Sequence, residues 1–201
     1  METKDHLLLA NRLLQAEQDR LPRGFAAGFR FGSILPDCNP FTYLRGIRKG
    51  QGLHGHNAEV TLQRIGCLLS AAERETGSGF RRGMQLGAAL HYLADAFTYP
   101  HHAYYPGTLA DHVAYEASLH HVFPDYVNRD IEPLWSYAAD FPSYLTQMLA
   151  LYRGCRKSVY KDCRFILHMC SLAFDTALAH RRKEDPVYES SDYNRPVSAV
   201  R

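Results

Sequence analysis

Six side chains that can do chemistry fall between residues 91 and 116: His91, Asp95, His101, His102, His112 and Glu116. His91 and Asp95 are four apart, and so are His112 and Glu116. On a helix each pair shares a face and aims two donor groups at one point. Between the pairs, Tyr99-Pro100-His101-His102 reads as a turn. Imidazole nitrogen and carboxylate oxygen are the ligands of catalytic zinc, which keeps one position open for water. Structural zinc more often takes thiolates, and this stretch has no cysteine. One His–Asp pair at this spacing is usually an ordinary helix pair. Two such pairs flanking a Pro-His-His turn point to a metal site.

Those residues need helices to carry them. Residues 3–20 read as a first helix, capped by Thr3, with Leu9, Leu13 and Ala16 in helical spacing and His6 in its first turn. Pro22 opens a second helix with Phe25, Phe29 and Phe31 on one face, ending at Gly32 and the breakers Pro36 and Pro40, with Asp37 just past its end. Residues 38–56 read as a long glycine-rich loop, a length that is uncommon without a function, and supply His54 and His56. Phe41-Thr42-Tyr43-Leu44 in it is a candidate for membrane docking or for core.

Further helices are expected from an Asn57 cap to about Glu75, and from Phe80 to Phe97, where Gly83 and Gly87 suit close packing. Another runs from Leu109, capped by Thr108, to about Phe123; two more cover Ser143 to Val159 and Asp162 to Lys183. Pro124, Pro133 and Pro142 read as punctuation. No strand period and no internal repeat stands out, so the fold class is all-α, a single-domain multi-helix bundle over 1–183 with a polar tail at 184–201.

At 201 residues a single core buries about 70% of the unfolded surface. Hydrophobic residues at 46% and charged residues at 22% are ordinary globular values. A net charge of +2 with scattered Lys and Arg gives no nucleic-acid footprint. Arg181-Arg182-Lys183 reads as a cation cluster at a helix C-terminus, and His180 as its partner. Five cysteines, an odd number without C-x-x-C spacing, argue against a disulfide framework and for a reducing, cytoplasmic setting. Cys163 and Cys170 read as buried thiols. Leu7-Leu8-Leu9-Ala10 is too short for the core of a signal peptide, and no apolar run approaches a membrane span of about 18 residues.

The stretch resembles the zinc-dependent phospholipase C family, whose fold is shared with single-strand-specific fungal nucleases. It carries the family pattern H-Y-L-x-D as His91-Tyr92-Leu93-Ala94-Asp95, then Tyr99-Pro100-His101-His102, then H-x-x-x-E as His112 to Glu116. Outlying matches are His6-Leu7 leading to Asn11-Arg12, Gly32 to Asp37, His54, and Phe174-Asp175-Thr176.

The resemblance implies a cluster of two or three zinc ions and a metal-activated water that hydrolyses a phosphodiester, phospholipid or small molecule. By position, His54, His91 and Asp95 hold one ion, His101, His112 and Glu116 a second, and His6 a third with Asp95 bridging. Asp37 lies near the attacking water as ligand or general base. His102 is the alternative to His101, and His56 the alternative to His54. Tyr92, Asp111 and Tyr115 are candidates to orient the ligands.

Three departures stand against the family pattern. Secreted members ligate zinc through a processed N-terminal Trp, whereas only five residues precede His6 and the single tryptophan is Trp135, so the third ion is expected to be absent or more sparsely held. Cys38, not an aromatic, follows Asp37, so phosphatidylcholine is not implied. The cysteine content also differs from that of the secreted members. A nuclease on the same fold and a non-catalytic metal-binding relative are the rival readings; the nuclease lacks a basic cleft. Among the remaining histidines, His120 and His121 read as surface or ligand-supporting residues. His168 reads as a core histidine with a hydrogen-bonded partner.

Overall fold

The computed structural model describes residues 1–15, 17, 21–38, 58–129 and 140–184, the last few of these and 58–60 by backbone alone. Among them are seven α-helices and no strand: α1 (Thr3–Gln15), α2 (Phe25–Cys38), α3 (Ala58–Arg74), α4 (Gly79–Ala96), α5 (Leu109–Asn128), α6 (Phe141–Gly154) and α7 (Val159–Glu184). A 3-10 turn, Tyr99–His101, joins α4 toward α5. The fold is all-α, as the spacing of apolar residues requires. No helix among the described residues is long and apolar enough to cross a membrane.

The core is built on α4. Every residue from Leu86 to Thr98 is buried, and the helix packs on α1, α2, α3 and α7. A helix apolar all round belongs in the middle of a bundle. Its most intimate partner is α2, and two pairs of glycines explain why. A methyl group on Gly28 would lie 2.0 Å from the Phe80 carbonyl oxygen, and one on Gly32 would lie 2.1 Å from that of Met84. From the other side, a methyl on Gly83 or Gly87 would meet the carbonyl oxygen of Phe25 or Phe29 at 2.2 Å. Backbone therefore rests on backbone, and α2 approaches the ligand-bearing half of α4 more closely than larger residues allow.

Two proline expectations fail. The second helix does not stop at Gly32 but runs through Pro36 to Cys38, which puts Asp37 inside its last turn. Ser33 and Pro36 are buried there, so packing continues past the breaker. Likewise α5 passes Pro124 and ends at Asn128. Leu119, Phe123 and Val127 keep a buried stripe across the proline, and the Arg12 side chain donates to the Val127 carbonyl at 3.2 Å. A proline removes one donor and crowds one turn; continuous burial outweighs that here. The first helix stops at Gln15, where the Glu17 amide turns back to the Leu14 carbonyl at 3.2 Å.

Other local expectations hold. Thr108 and Asp111 form a reciprocal capping box on α5. Pro142 sits in the first turn of α6 behind an Asp140 cap. Cys163 and Cys170 are free and fully buried, and burial pushes the Cys163 thiol up to about 12. The Tyr144 hydroxyl lies 2.7 Å from His168 Nε2, which gives that half-buried histidine its partner. Residues 39–57, with His54, His56 and Phe41 to Leu44, lie outside the described residues, as do Pro133, Trp135, the His180 side chain and the residues after Glu184.

Candidate metal centre

His91 is the innermost ligand candidate. Its Nδ1 lies 2.8 Å from the Ser33 carbonyl oxygen, on the helix that the glycine seam holds against α4. A carbonyl can only accept, so Nδ1 carries the proton and, in the neutral ring, Nε2 presents a lone pair. That lone pair faces two carboxylates: Asp37 Oδ1 and Asp95 Oδ2, each at 3.4 Å. Acceptors facing acceptors need a proton or a cation between them. Burial opposes a charge on His91, yet Asp95 and Asp37 outweigh it and draw its pKa up. The other oxygen of Asp37 accepts from the Thr3 hydroxyl at 2.7 Å, which fixes that carboxylate from the start of α1.

His6 stacks on His91 with ring centres 3.8 Å apart, and its Nε2 lies 3.3 Å from Asp95 Oδ1. That buried nitrogen makes no hydrogen bond. Burial first, and then the neighbouring His91, push its pKa down to about 4. His6 is therefore neutral, with its lone pair available.

Across Asp95 lies a second group. Glu116 Oε1 is 3.0 Å from His101 Nε2 and 3.1 Å from His112 Nε2. His101 Nε2 is also 3.7 Å from Asp95 Oδ1, so Asp95 stands between the two groups. The Met1 α-amine enters the same space, 3.0 Å from Asp95 Oδ1, 2.8 Å from Glu116 Oε1 and 3.2 Å from His101 Nε2. Burial opposes its charge, but Asp95 and Glu116 prevail and raise its pKa to about 10. The Met1 amine thus joins the cluster in the absence of an N-terminal tryptophan.

These separations fit a shared cation. Ligands about 2.0–2.1 Å from a tetrahedral zinc stand about 3.3 Å from one another. The contacts of His6, His91, Asp37 and Asp95 fall at 3.3–3.4 Å, and those of His101, His112 and Glu116 at 3.0–3.1 Å. Within each of the groups His6, His91, Asp95 and His101, His112, Glu116, one ligand atom per residue lies within 4.8 Å of the others. Among the described residues, three carboxylates here (Asp37, Asp95 and Glu116) face one fixed cation, the Met1 ammonium. The orphaned Nε2 of His6 and the surplus of negative charge fit a bound metal.

His102 turns the other way. It is 3% exposed, stacks between Tyr104 and Tyr152 at 4.8 and 5.3 Å, and lies outside both groups. Asp111 faces solvent as part of the α5 cap and does not orient a ligand. Tyr92 packs edge-on to His91 at 5.5 Å, and Tyr115 donates to Asp162 at 2.9 Å. His120 reaches the fully buried Asp5 at 2.6 Å, one residue before His6. The contributions of Thr3, the Ser33 carbonyl, Asp5, Asp162 and the Met1 amine escape sequence reasoning. Each acts through a partner from a distant segment, and none carries a local spacing signal.

A family model described as zinc dependent phospholipase C matches residues 5–162, ending short of Phe174-Asp175-Thr176. No curated protein and no solved structure matches the chain.

Proposed function

The chain belongs to the zinc-dependent phospholipase C family, and on that premise we propose that it hydrolyses a lipid phosphodiester at the cluster around Asp95. His91, Asp37 and Asp95, with His54, would hold one ion. His101, His112 and Glu116 would hold a second. His6, Asp95 and the Met1 amine are the candidates for a third. The observation that carries this reading is the convergence of Asp37 Oδ1 and Asp95 Oδ2 on His91 Nε2, each 3.4 Å away.

Zinc, when bound, supplies a water that ionises near pH 7 and a Lewis acid for the phosphoryl oxygen. The chain's own groups do the rest. The Ser33 carbonyl holds the His91 tautomer. Thr3 keeps one oxygen of Asp37 occupied, which leaves the other to ligate or to accept the proton of the attacking water. Hydrolysis adds that water across the P–O bond to the diacylglycerol, and the proton leaves on the alcohol. The tyrosines Tyr99, Tyr104 and Tyr105 cluster beside His101 and are candidates for the cleft wall. All five cysteines are free, which supports a reducing, cytoplasmic setting.

The test is zinc content of protein purified without chelators, followed by turnover on a panel of phospholipids, small phosphodiesters and single-stranded nucleic acid. Two or three zinc ions with phospholipid cleavage is the expected result. No zinc after supplementation overturns the reading; zinc without turnover on any substrate leaves the non-catalytic relative; cleavage of nucleic acid alone turns it to a nuclease.

A further inference from the structure

One fully buried carboxylate lies outside both ligand groups and touches the two segments that build one of them. Asp162 sits in the first turn of α7. Its Oδ2 accepts from the Tyr99 amide at 3.0 Å and from the Tyr115 hydroxyl at 2.9 Å. Its Oδ1 accepts from the Tyr152 hydroxyl at 2.7 Å. Tyr99 opens the 3-10 turn that ends in His101. Tyr115 precedes Glu116 and lies three residues after His112 on α5. A single oxygen therefore clamps the turn carrying His101 to the helix carrying His112 and Glu116. The Tyr99 and Tyr115 rings also pack edge to face at 5.9 Å. By contrast, His6, Asp37, His91 and Asp95 stand on α1, α2 and α4.

We propose that Asp162 is a positioning residue for the second metal group, setting the separation of His101 from His112 and Glu116 while leaving the first group independent. The proposal rests on the metal-site reading above. Three donors converge on this carboxylate, one of them a backbone amide that cannot turn into an acceptor. Asp162→Ala removes both oxygens, so the Tyr99 amide and the Tyr115 hydroxyl lose their shared acceptor. The hydroxyl can turn to another partner; the Tyr99 amide cannot. The clamp then loosens between the turn and α5. Outer partners of this kind typically change metal affinity by about 10–100-fold.

The experiment is competitive zinc titration of the full chain against a chromophoric chelator, which reads each ion's affinity without activity. The wild-type chain is expected to bind at least two ions. Asp162→Ala is expected to weaken one of them by about 10–100-fold and leave another within about 3-fold. In a His112→Ala background, where the second group is already broken, Asp162→Ala should add no further loss. Tyr152→Phe removes the Oδ1 bond but keeps the clamp on Oδ2, and should leave all affinities within about 3-fold. If Asp162→Ala does not fold, Tyr115→Phe decides: it deletes one side of the clamp and should weaken the same ion selectively. Unchanged affinities in the deciding variant overturn the proposal, and so does an equal loss at every ion. A wild-type chain that binds no zinc overturns the metal-site reading as well, whereas a wild-type chain that binds two or more while the variants match it overturns the positioning role alone.

Discussion

His91 shows how little freedom a single residue has at this site. Its Nδ1 is committed to the Ser33 carbonyl and its Nε2 to the space between Asp37 and Asp95. His91→Ala should cost the first group its ion and lower turnover by at least about 10³-fold, comparable to loss of a principal catalytic group; turnover on the best substrate of the panel checks this. Met1 gives a second prediction. An added Gly-Ser ahead of it replaces the amine, 2.8 Å from Glu116, with an amide that has no basic lone pair. The extended chain should bind one ion at least about 10-fold more weakly, read by the same zinc titration. Unaltered binding would remove the amine from the ligand set. The identity of His91 and Asp95 as candidates was plain from their spacing. The commitment of each ring nitrogen was not, because Ser33 and Asp37 come from more than 50 residues away.

At the scale of elements, the glycine seam between α2 and α4 decides where Asp37 meets His91. Gly32→Ala would drive a methyl against the Met84 carbonyl at 2.1 Å, where neither backbone can yield cheaply. Overpacking of this kind typically costs about 1–3 kcal/mol, and the resulting separation of the helices should also weaken zinc binding. Denaturant midpoints and the zinc titration together check both effects. Gly83 and Gly87 were legible as small residues on the ligand-bearing helix; their counterparts Gly28 and Gly32 took on meaning only once paired with them. The link between α6 and α7 carries a pH prediction. Burial lowers the pKa of His168, whose Nε2 is 2.7 Å from the Tyr144 hydroxyl. The unfolded chain therefore takes up this proton first, starting near the ordinary value of about 6.5. Stability from this group is intact above that pH and falls as pH drops below it. His168→Gln keeps an acceptor for Tyr144 but cannot titrate, so urea midpoints should fall less between pH 7.5 and 5 than in the wild-type chain.

For the whole molecule, the cluster joins α1, α2, α4, α5 and the 3-10 turn through contacts among carboxylates and imidazoles. A bound cation would be shared by these groups and would tie the five segments together. Zinc at about 1,000 times its dissociation constant stabilises a fold by about 4 kcal/mol. For a chain of this size each kcal/mol moves Tm by about 2–4 °C. Chelation should therefore lower Tm by about 8–16 °C, and zinc, added back, should restore it. A Tm indifferent to chelator would mean that the cluster holds no ion under those conditions.

The sequence alone determined the helical class, most helix starts, the Thr108 cap of α5 and the family, because these depend on local spacing: period 3.6, a capping residue, and donors four apart on one face. It also brought out His6, Asp37, His91, Asp95, His101, His112 and Glu116 as candidates. Tertiary structure decided what local spacing does not encode. It carried α2 and α5 through Pro36 and Pro124, because burial on one face outweighed a missing hydrogen bond. It turned His101 inward and His102 toward Tyr104 and Tyr152, a choice that adjacent identical residues cannot reveal. It also brought the Met1 amine to Glu116 and Asp162 to Tyr99 and Tyr115, since a contact between residues 47 to 115 apart depends on how whole helices pack.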